Sequence, residues 1–292
     1  MTNSSGAAWR VRDHLLDPAD HTLVMGVVNV TPDSFSDGGA VAGTAGTDHE
    51  AAIAHGTALW DEGADIVDVG GESTRPGAVA VSSADEISRV VPVVAGLTAA
   101  GIIVSVDTSK PEVAAAALEA GAHVVNDVTA LVNPDMARLC AETGAGVVLM
   151  HMQGSPRTMQ DNPTYDDVAG EVGAYLVRRA AAAVDAGIRP DHLCLDPGIG
   201  FGKTFDHNLE LLARLGELVD LGFPVLVGAS RKRFLGTVLE DAGIATEPVE
   251  RDPATAATVA LAVVAGAAAV RVHDVKSAVQ SARVADAIVR TS

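Results

Sequence analysis

The chain has 292 residues, 48% of them hydrophobic but only 3% aromatic, and carries a formal net charge of −18. That length suits a single α/β barrel as readily as two average domains, and the Ala, Val and Leu content is ample for a large core. The acidity argues against a nucleic-acid binder, which needs Lys and Arg clustered across a face, so an anionic ligand would have to be held by a local basic cluster.

Residues 1–22 read as an N-terminal arm. Met1 to Ala8 is small and polar and is expected to be partly disordered, whereas Trp9 to His21 is expected to add a short arm or strand against the floor of the following domain. The arm has no apolar leader and no run approaches membrane-spanning length, so a cytoplasmic protein with no membrane partner is expected. Cys140 and Cys194 sit in apolar contexts without metal-ligand spacing and read as reduced core residues.

From residue 23 the chain alternates. Short valine-rich strands are expected at Leu23–Val30, Asp65–Gly71, Ile102–Thr108, His123–Thr129, Gly146–Met152, Leu193–Ile199, Pro224–Ser230 and Ala269–Val275. Helical patterns follow at Asp48–Glu62, Ala84–Ala100, Pro111–Ala120, Pro134–Thr143, Tyr165–Ala186, Asp206–Leu221, Asp252–Ala267 and Ser277–Arg290. Pro111 and Pro134 suit the first helical position, and glycines such as Gly63 and Gly144 suit left-handed helix stops. Strands apolar nearly throughout belong to a parallel sheet covered on both faces. Eight such units over residues 23–292 predict a single-domain α/β fold, the (β/α)8 TIM barrel, with a doubly wound sheet as the alternative because periodicity does not show closure.

In a barrel, chemistry belongs at the C-terminal ends of the strands. Those ends carry Asn29; Glu72, Ser73, Thr74 and Arg75; Asp107; Asn126 and Asp127; His151; Asp196; Ser230, Arg231 and Lys232; and Arg271, His273 and Asp274. A single one of these reads equally well as a structural ion pair, but the habit recurs at every strand. Asp107, Asn126 and Asp196 supply acceptors suited to the N–H pair of a flat heterocycle such as a pterin or guanine edge. Lys232 would bond the ring's own acceptors, with Phe201 or the Arg271 plane covering its faces. Arg231, Lys232, Arg233, Arg271 and His273 form a cationic group where barrels commonly bind phosphate.

The loop after the first strand, TPDSFSDGG, is long and glycine-rich, as lids often are, and its Phe35 is either a stacking residue or a hydrophobic plug. Asn29 and Asp37 are oxygen donors suited to Mg²⁺ bridging a diphosphate, though two ligands alone do not define a site. Thr74-Arg75-Pro76 is rigid turn chemistry or a ligand contact, and His151 is a satisfied core histidine or a ligand. Gly198, Gly200 and Gly202 do not form the dinucleotide fingerprint and are assigned to close backbone approach.

The string VMGVVNVTPDSFSDGG at 24–39 resembles the first signature of the dihydropteroate synthase family, and ADIVDVGGESTRPGA at 64–78 resembles its second. MQGSPRTMQDNPTYDDV, DPGIGFGK, GASRKRF and VRVHDV carry the resemblance from about Leu23 to the C-terminus, with no departure at the motif positions. It implies condensation of 6-hydroxymethyl-7,8-dihydropterin diphosphate with 4-aminobenzoate to 7,8-dihydropteroate and diphosphate, by a transferase that is usually a homodimer and a sulfonamide target. It also implies that Asp107, Asn126, Met150, Asp196, Phe201, Gly228 and Lys232 line a pterin pocket. Asn29, Arg271 and His273 would hold the diphosphate, with Mg²⁺ on Asn29 and Asp37. Phe35, Thr74, Arg75, Pro76, Ser230 and Lys232 would frame the aminobenzoate. Catalytic roles would fall on Lys232, Asp107, Asp196, Arg271 and Asp37, in a reaction where diphosphate leaves before the amine attacks. The rival readings are a methyltetrahydrofolate-dependent methyltransferase, which shares a pterin-binding barrel, and a non-catalytic pterin-binding paralogue.

Overall fold

The computed structural model describes residues 7–31, 48–73, 80–155 and 158–291. Its framework is a parallel sheet of eight strands: β3 (Leu23–Asn29), β4 (Ile66–Gly70), β5 (Val104–Asp107), β6 (Val124–Asp127), β7 (Gly146–Met150), β8 (Leu193–Asp196), β9 (Leu226–Val227) and β10 (Ala269–Val272). The order is β8-β7-β6-β5-β4-β3-β10-β9. A parallel bridge between Leu195 and Val225 joins its two ends, so the sheet closes into the expected barrel rather than remaining an open doubly wound sheet.

The outer ring is α1 (Asp48–Asp61), α2 (Ser83–Ala99), α3 (Pro111–Glu119), α4 (Pro134–Thr143), α5 (Val168–Asp185), α6 (Phe205–Ala213), α7 (Leu215–Val219), α8 (Arg233–Asp241), α9 (Asp252–Val264) and α10 (Val275–Val289). Starts follow local chemistry: Ser82, Asn133, Asp167 and Asp274 each cap a helix by accepting a backbone N–H. Gly144 ends α4 at φ +63°, in the left-handed region where a Cβ is strained.

Three expectations need correction. The single helix expected over 206–221 is broken at Arg214, whose guanidinium is held by Asp167, Glu210 and Glu217. The seventh barrel strand is only Leu226–Val227, because Pro224 has no N–H for the ladder and the chain beyond Val227 turns into the mouth. Helix α8, between β9 and α9, was not expected at all, because the basic run leading into it was read for its charge rather than as a helix start.

The arm forms a hairpin, β1 (Trp9–Val11) paired antiparallel with β2 (His14–Leu16); of the stretch expected to be partly disordered, Met1 to Ala8, positions 1–6 lie outside the described residues and Ala7 and Ala8 within them. Trp9 is wholly buried, packs with Met25, Ile66, Val124, Val148 and Cys194 at the N-terminal end of the barrel, and donates its indole N–H to the His192 carbonyl at 3.0 Å. The hairpin therefore plugs the floor and leaves the opposite end as the mouth. Cys140 and Cys194 are free and buried, and burial pushes both thiols upward, Cys140 to about 12, as befits inert core residues.

Candidate active site

Strand alternation decides which side chains reach the barrel interior. Met25, Ile66, Ile103, Val124, Val148, Cys194, Leu226 and Ala269 belong to the floor cluster. Counting onward by two residues from each gives Asn29, Asp68, Asp107, Asn126, Met150, Asp196, Gly228, Ser230, Arg271 and His273. The candidates on the described strands thus share the inward phase. Register puts Asn29, Gly70, Asp107 and Asn126 in one row and Met150 and Asp196 in a second, one inward position further on because Asn126 pairs with Val148.

Arg271 is the hub. Its Nε donates to Asp68 Oδ2 at 2.7 Å and its Nη2 to Asp107 Oδ2 at 2.8 Å, while Asn126 Nδ2 donates to the same Asp68 oxygen at 3.1 Å. Burial works against the guanidinium's charge, but the Asp68 and Asp107 carboxylates more than offset it and hold its pKa above the ordinary value. Burial pushes the Asp107 carboxyl up to about 7 against the pull of Arg271. Asp196 is also raised by burial, although Lys232 and the Gly198 N–H, at 2.7 Å from its Oδ1, favour its charged form.

Lys232 faces this group from the β9–α8 turn. Its Nζ donates to the Ile199 carbonyl and lies 4.6 Å from the Phe201 ring centroid, a cation–π contact. Burial lowers its pKa to about 8 against the attraction of Asp196. Beside it, Ser230 Oγ and His273 Nδ1 are 2.9 Å apart, and the His273 backbone N–H donates to Ser230 Oγ at 3.2 Å. One mouth thus joins a row of oxygen acceptors to two cations that feel each other's charge.

Other strand-end residues serve the framework. Asp127 has the outward phase and accepts from Thr129 and Leu131; Asp274 caps α10. Arg231, grouped with the phosphate-binding cations from the sequence, makes a two-pronged ion pair with Asp252 at 2.7 Å on each arm, so Arg231 is turned away while Ser230 and Lys232 of the SRKR run face the mouth. Glu72 binds Lys110, which also holds Glu86. His151 is a core histidine: it is buried, stacks edge-on against Tyr175, and offers Nδ1 to Lys203 Nζ at 2.9 Å. Burial and then Lys203 push its pKa down to about 3, so the ring is neutral.

The glycines after β8 meet the expected need for close approach. A Cβ on Gly198, at φ +65°, would lie 1.9 Å from the His151 carbonyl oxygen, and one on Gly202 would lie 2.5 Å from that of Gln153. Phe35, Asp37, Thr74, Arg75 and Pro76, and with them the lid, lie outside the described residues. Sequence reasoning passed over Asp68 and Lys203. The signal for Asp68 was a lone carboxylate inside the apolar strand IVDVG, and for Lys203 a lone cation closing a glycine turn.

The profile of the pterin binding enzyme family matches residues 25–273. The dihydropteroate synthase of Escherichia coli (strain K12) is 47% identical over 271 residues, covering 91% of this chain and 92% of that protein. That of Mycobacterium leprae is 50% identical over 267 residues, covering 90% and 92%. The chain belongs to the dihydropteroate synthase family.

Membership makes it a transferase, and the barrel agrees with solved dihydropteroate synthases. The Xanthomonas albilineans dihydropteroate synthase solved with 4-aminobenzoic acid superposes with a TM-score of 0.87 at 46% identity, covering 97% of this chain and 98% of that one. The Yersinia pestis dihydropteroate synthase in a sulfonamide drug complex gives 0.88 at 41%, covering 98% and 100%.

Proposed function

We propose that this mouth condenses 6-hydroxymethyl-7,8-dihydropterin diphosphate with 4-aminobenzoate, releasing 7,8-dihydropteroate and diphosphate. The observation that carries the reading is the placement of Asp107, Asn126 and Asp196 on one inward-facing rim with Arg271 and Lys232. The carboxylates and the Asn126 amide hold the N–H edge of the pterin, Met150 and Phe201 cover its faces, and Gly228 leaves room beside Arg271. Arg271 and His273 hold the diphosphate, and Ser230 and Lys232 frame the aminobenzoate.

The bond between the pterin methylene and the diphosphate oxygen breaks with its electron pair leaving on the diphosphate. The amine nitrogen then bonds to the methylene carbon and gives up a proton. Arg271 and Lys232 stabilise the charge on the departing anion, and exclusion of water prevents capture of the methylene cation. An arylamine needs no strong base, which suits a rim whose histidine, His273, is tied to Ser230.

Oxygen donors such as the Asn29 amide suit Mg²⁺. Among the described residues no group of three His, Cys, Asp or Glu side chains is placed to hold a metal ion, so Asn29 and Asp37 would hold it together with the substrate's phosphate. Bound there, it would neutralise diphosphate charge.

The homodimer finds support on the opposite side of the helix ring. Val264 of α9 and Val284 and Ile288 of α10 are each 61–62% exposed around a groove floored by Ala256, Ala260 and Ala285, with no charged residue in its lining. On so acidic a chain, that apolar face suits a second copy of itself. Two buried free thiols suit a cytoplasmic setting; among the described residues no helix is long and apolar enough to cross a membrane.

The test is a mixture of the purified chain with the pterin diphosphate, 4-aminobenzoate and Mg²⁺, followed for dihydropteroate. Lys232→Ala is expected to cut turnover by about a hundredfold or more. Absence of product from the unsubstituted chain, or full turnover by the variant, would overturn the assignment.

A further inference from the structure

We infer that Asp68 is a positioning residue for this reaction: by gathering Asn126 Nδ2 and Arg271 Nε on one carboxylate oxygen, it presents the Asn126 carbonyl to the substrate as an acceptor and fixes the guanidinium on its edge. The inference rests on the pterin-binding reading above and adds a residue to it.

Asp68 is 0% exposed and lies one inward position below Gly70, whose missing side chain leaves room above it. Asn126 belongs to the next level up, paired with Asp107. A carboxylate accepts hydrogen bonds and, when charged, donates none, so the arm of the Asn126 amide that faces Asp68 has to be the NH₂. The two arms of a planar amide diverge, which leaves Oδ1 directed away from the floor. Asp107, Asn126 Oδ1 and Asp196 then form an all-acceptor rim that selects ring edges carrying N–H donors and disfavours edges carrying lone pairs.

Stability alone does not explain a carboxylate here. Its second oxygen, Oδ1, is buried with no hydrogen-bond partner, and so is Ser105 Oγ on the strand residue paired with it. Buried ion pairs are often no better for stability than an apolar side chain of the same volume, and an unpartnered oxygen makes this one worse. What an apolar residue cannot supply is the orientation of Asn126 and Arg271.

Asp68 also acts on Asp107. The charged groups facing Asp107 are Arg271 from β10, Asp68 from β4, Glu86 from α2 and Asp127 from β6; the cation favours its charged form and the three carboxylates oppose it. Pterin binding needs Asp107 as an acceptor, so affinity should fall as pH drops through about 7. Loss of the Asp68 charge moves that limb to lower pH, a direction that simple loosening of the fold does not produce.

The experiment is calorimetric titration with the dihydropterin diphosphate of the full chain, Asp68→Asn, Asn126→Ala and the double variant, with aminobenzoate KM measured in parallel. Asp68→Asn is expected to weaken pterin binding by about tenfold or more in the parent background. In the Asn126→Ala background its effect should drop to under about threefold, the non-additivity of residues acting as a unit. The acid limb should move down and aminobenzoate KM should stay within about twofold. Asp68→Ser, which keeps a polar group and leaves room for water, should repeat the pattern and covers a poorly folded Asp68→Asn. Equal losses in both backgrounds, equal losses for both substrates, or an unmoved acid limb would overturn the inference while leaving the parent's pterin binding intact. A parent chain that binds no pterin would remove the functional reading itself.

Discussion

Asp107 and Asp196 show how little of a site residue's behaviour belongs to the residue alone. Each is a carboxylate inside a barrel, raised by burial and drawn back by a cation, Arg271 for one and Lys232 for the other. Replacing either by Ala removes charge-assisted bonds to the ring and should weaken pterin binding by about 2–4 kcal/mol in calorimetry, with the circular dichroism spectrum unchanged. Full affinity in either variant would remove that residue from the pocket. Both were legible in the sequence because an ionisable group at the end of an apolar run is conspicuous. Asp68 was not, because its position two residues before the end of β4 reads as an ordinary interruption until Arg271, some two hundred positions away, is seen to cross the barrel. Arg231 erred in the opposite direction: adjacency to Lys232 suggested a shared role, but it stands at φ +58°, and its guanidinium is bound to Asp252 on α9.

At the level of elements, the period of the pattern carried most of the information. Alternation of apolar strand and capped helix located the eight barrel strands, and the parity of each strand sorted Asn126 from Asp127 only once the floor cluster had fixed which phase points inward. The break at Arg214 escaped because it goes with contacts to Asp167, Glu210 and Glu217 rather than with a change of period, and α8 because the basic run leading into it was read for its charge. The N-terminal hairpin makes a separable claim, since it sits at the end away from the mouth. Trp9→Ala, which opens a cavity in the floor and removes the bond to the His192 carbonyl, should cost about 3–5 kcal/mol of unfolding free energy in urea. Substrate KM values measured well below the midpoint should stay near those of the parent. A variant with parent stability would show that the arm is merely appended, and large KM changes would show that floor and mouth are coupled.

For the whole molecule, closure is the step that periodicity could not deliver: the Leu195–Val225 bridge turns a list of strand ends into a ring. The apolar groove between α9 and α10 lies outside that ring, and it is the face the proposed dimer would use. Val264→Glu or Val284→Glu would bring charge into it and should shift sedimentation velocity from dimer toward monomer. Parent chains that sediment as monomers at micromolar concentration would refute the dimer, and an undisturbed dimer in both variants would place its interface elsewhere.

In the proposed reaction, residues from Asn29 to His273 converge on one substrate at the C-terminal mouth of the barrel. A crystal structure of the chain with dihydropterin diphosphate bound tests it most directly. The ring's N–H edge is expected on Asp107, Asn126 and Asp196, with the diphosphate against Arg271 and His273. A pterin bound at the hairpin end of the barrel, or with its N–H edge turned away from those three side chains, would contradict it.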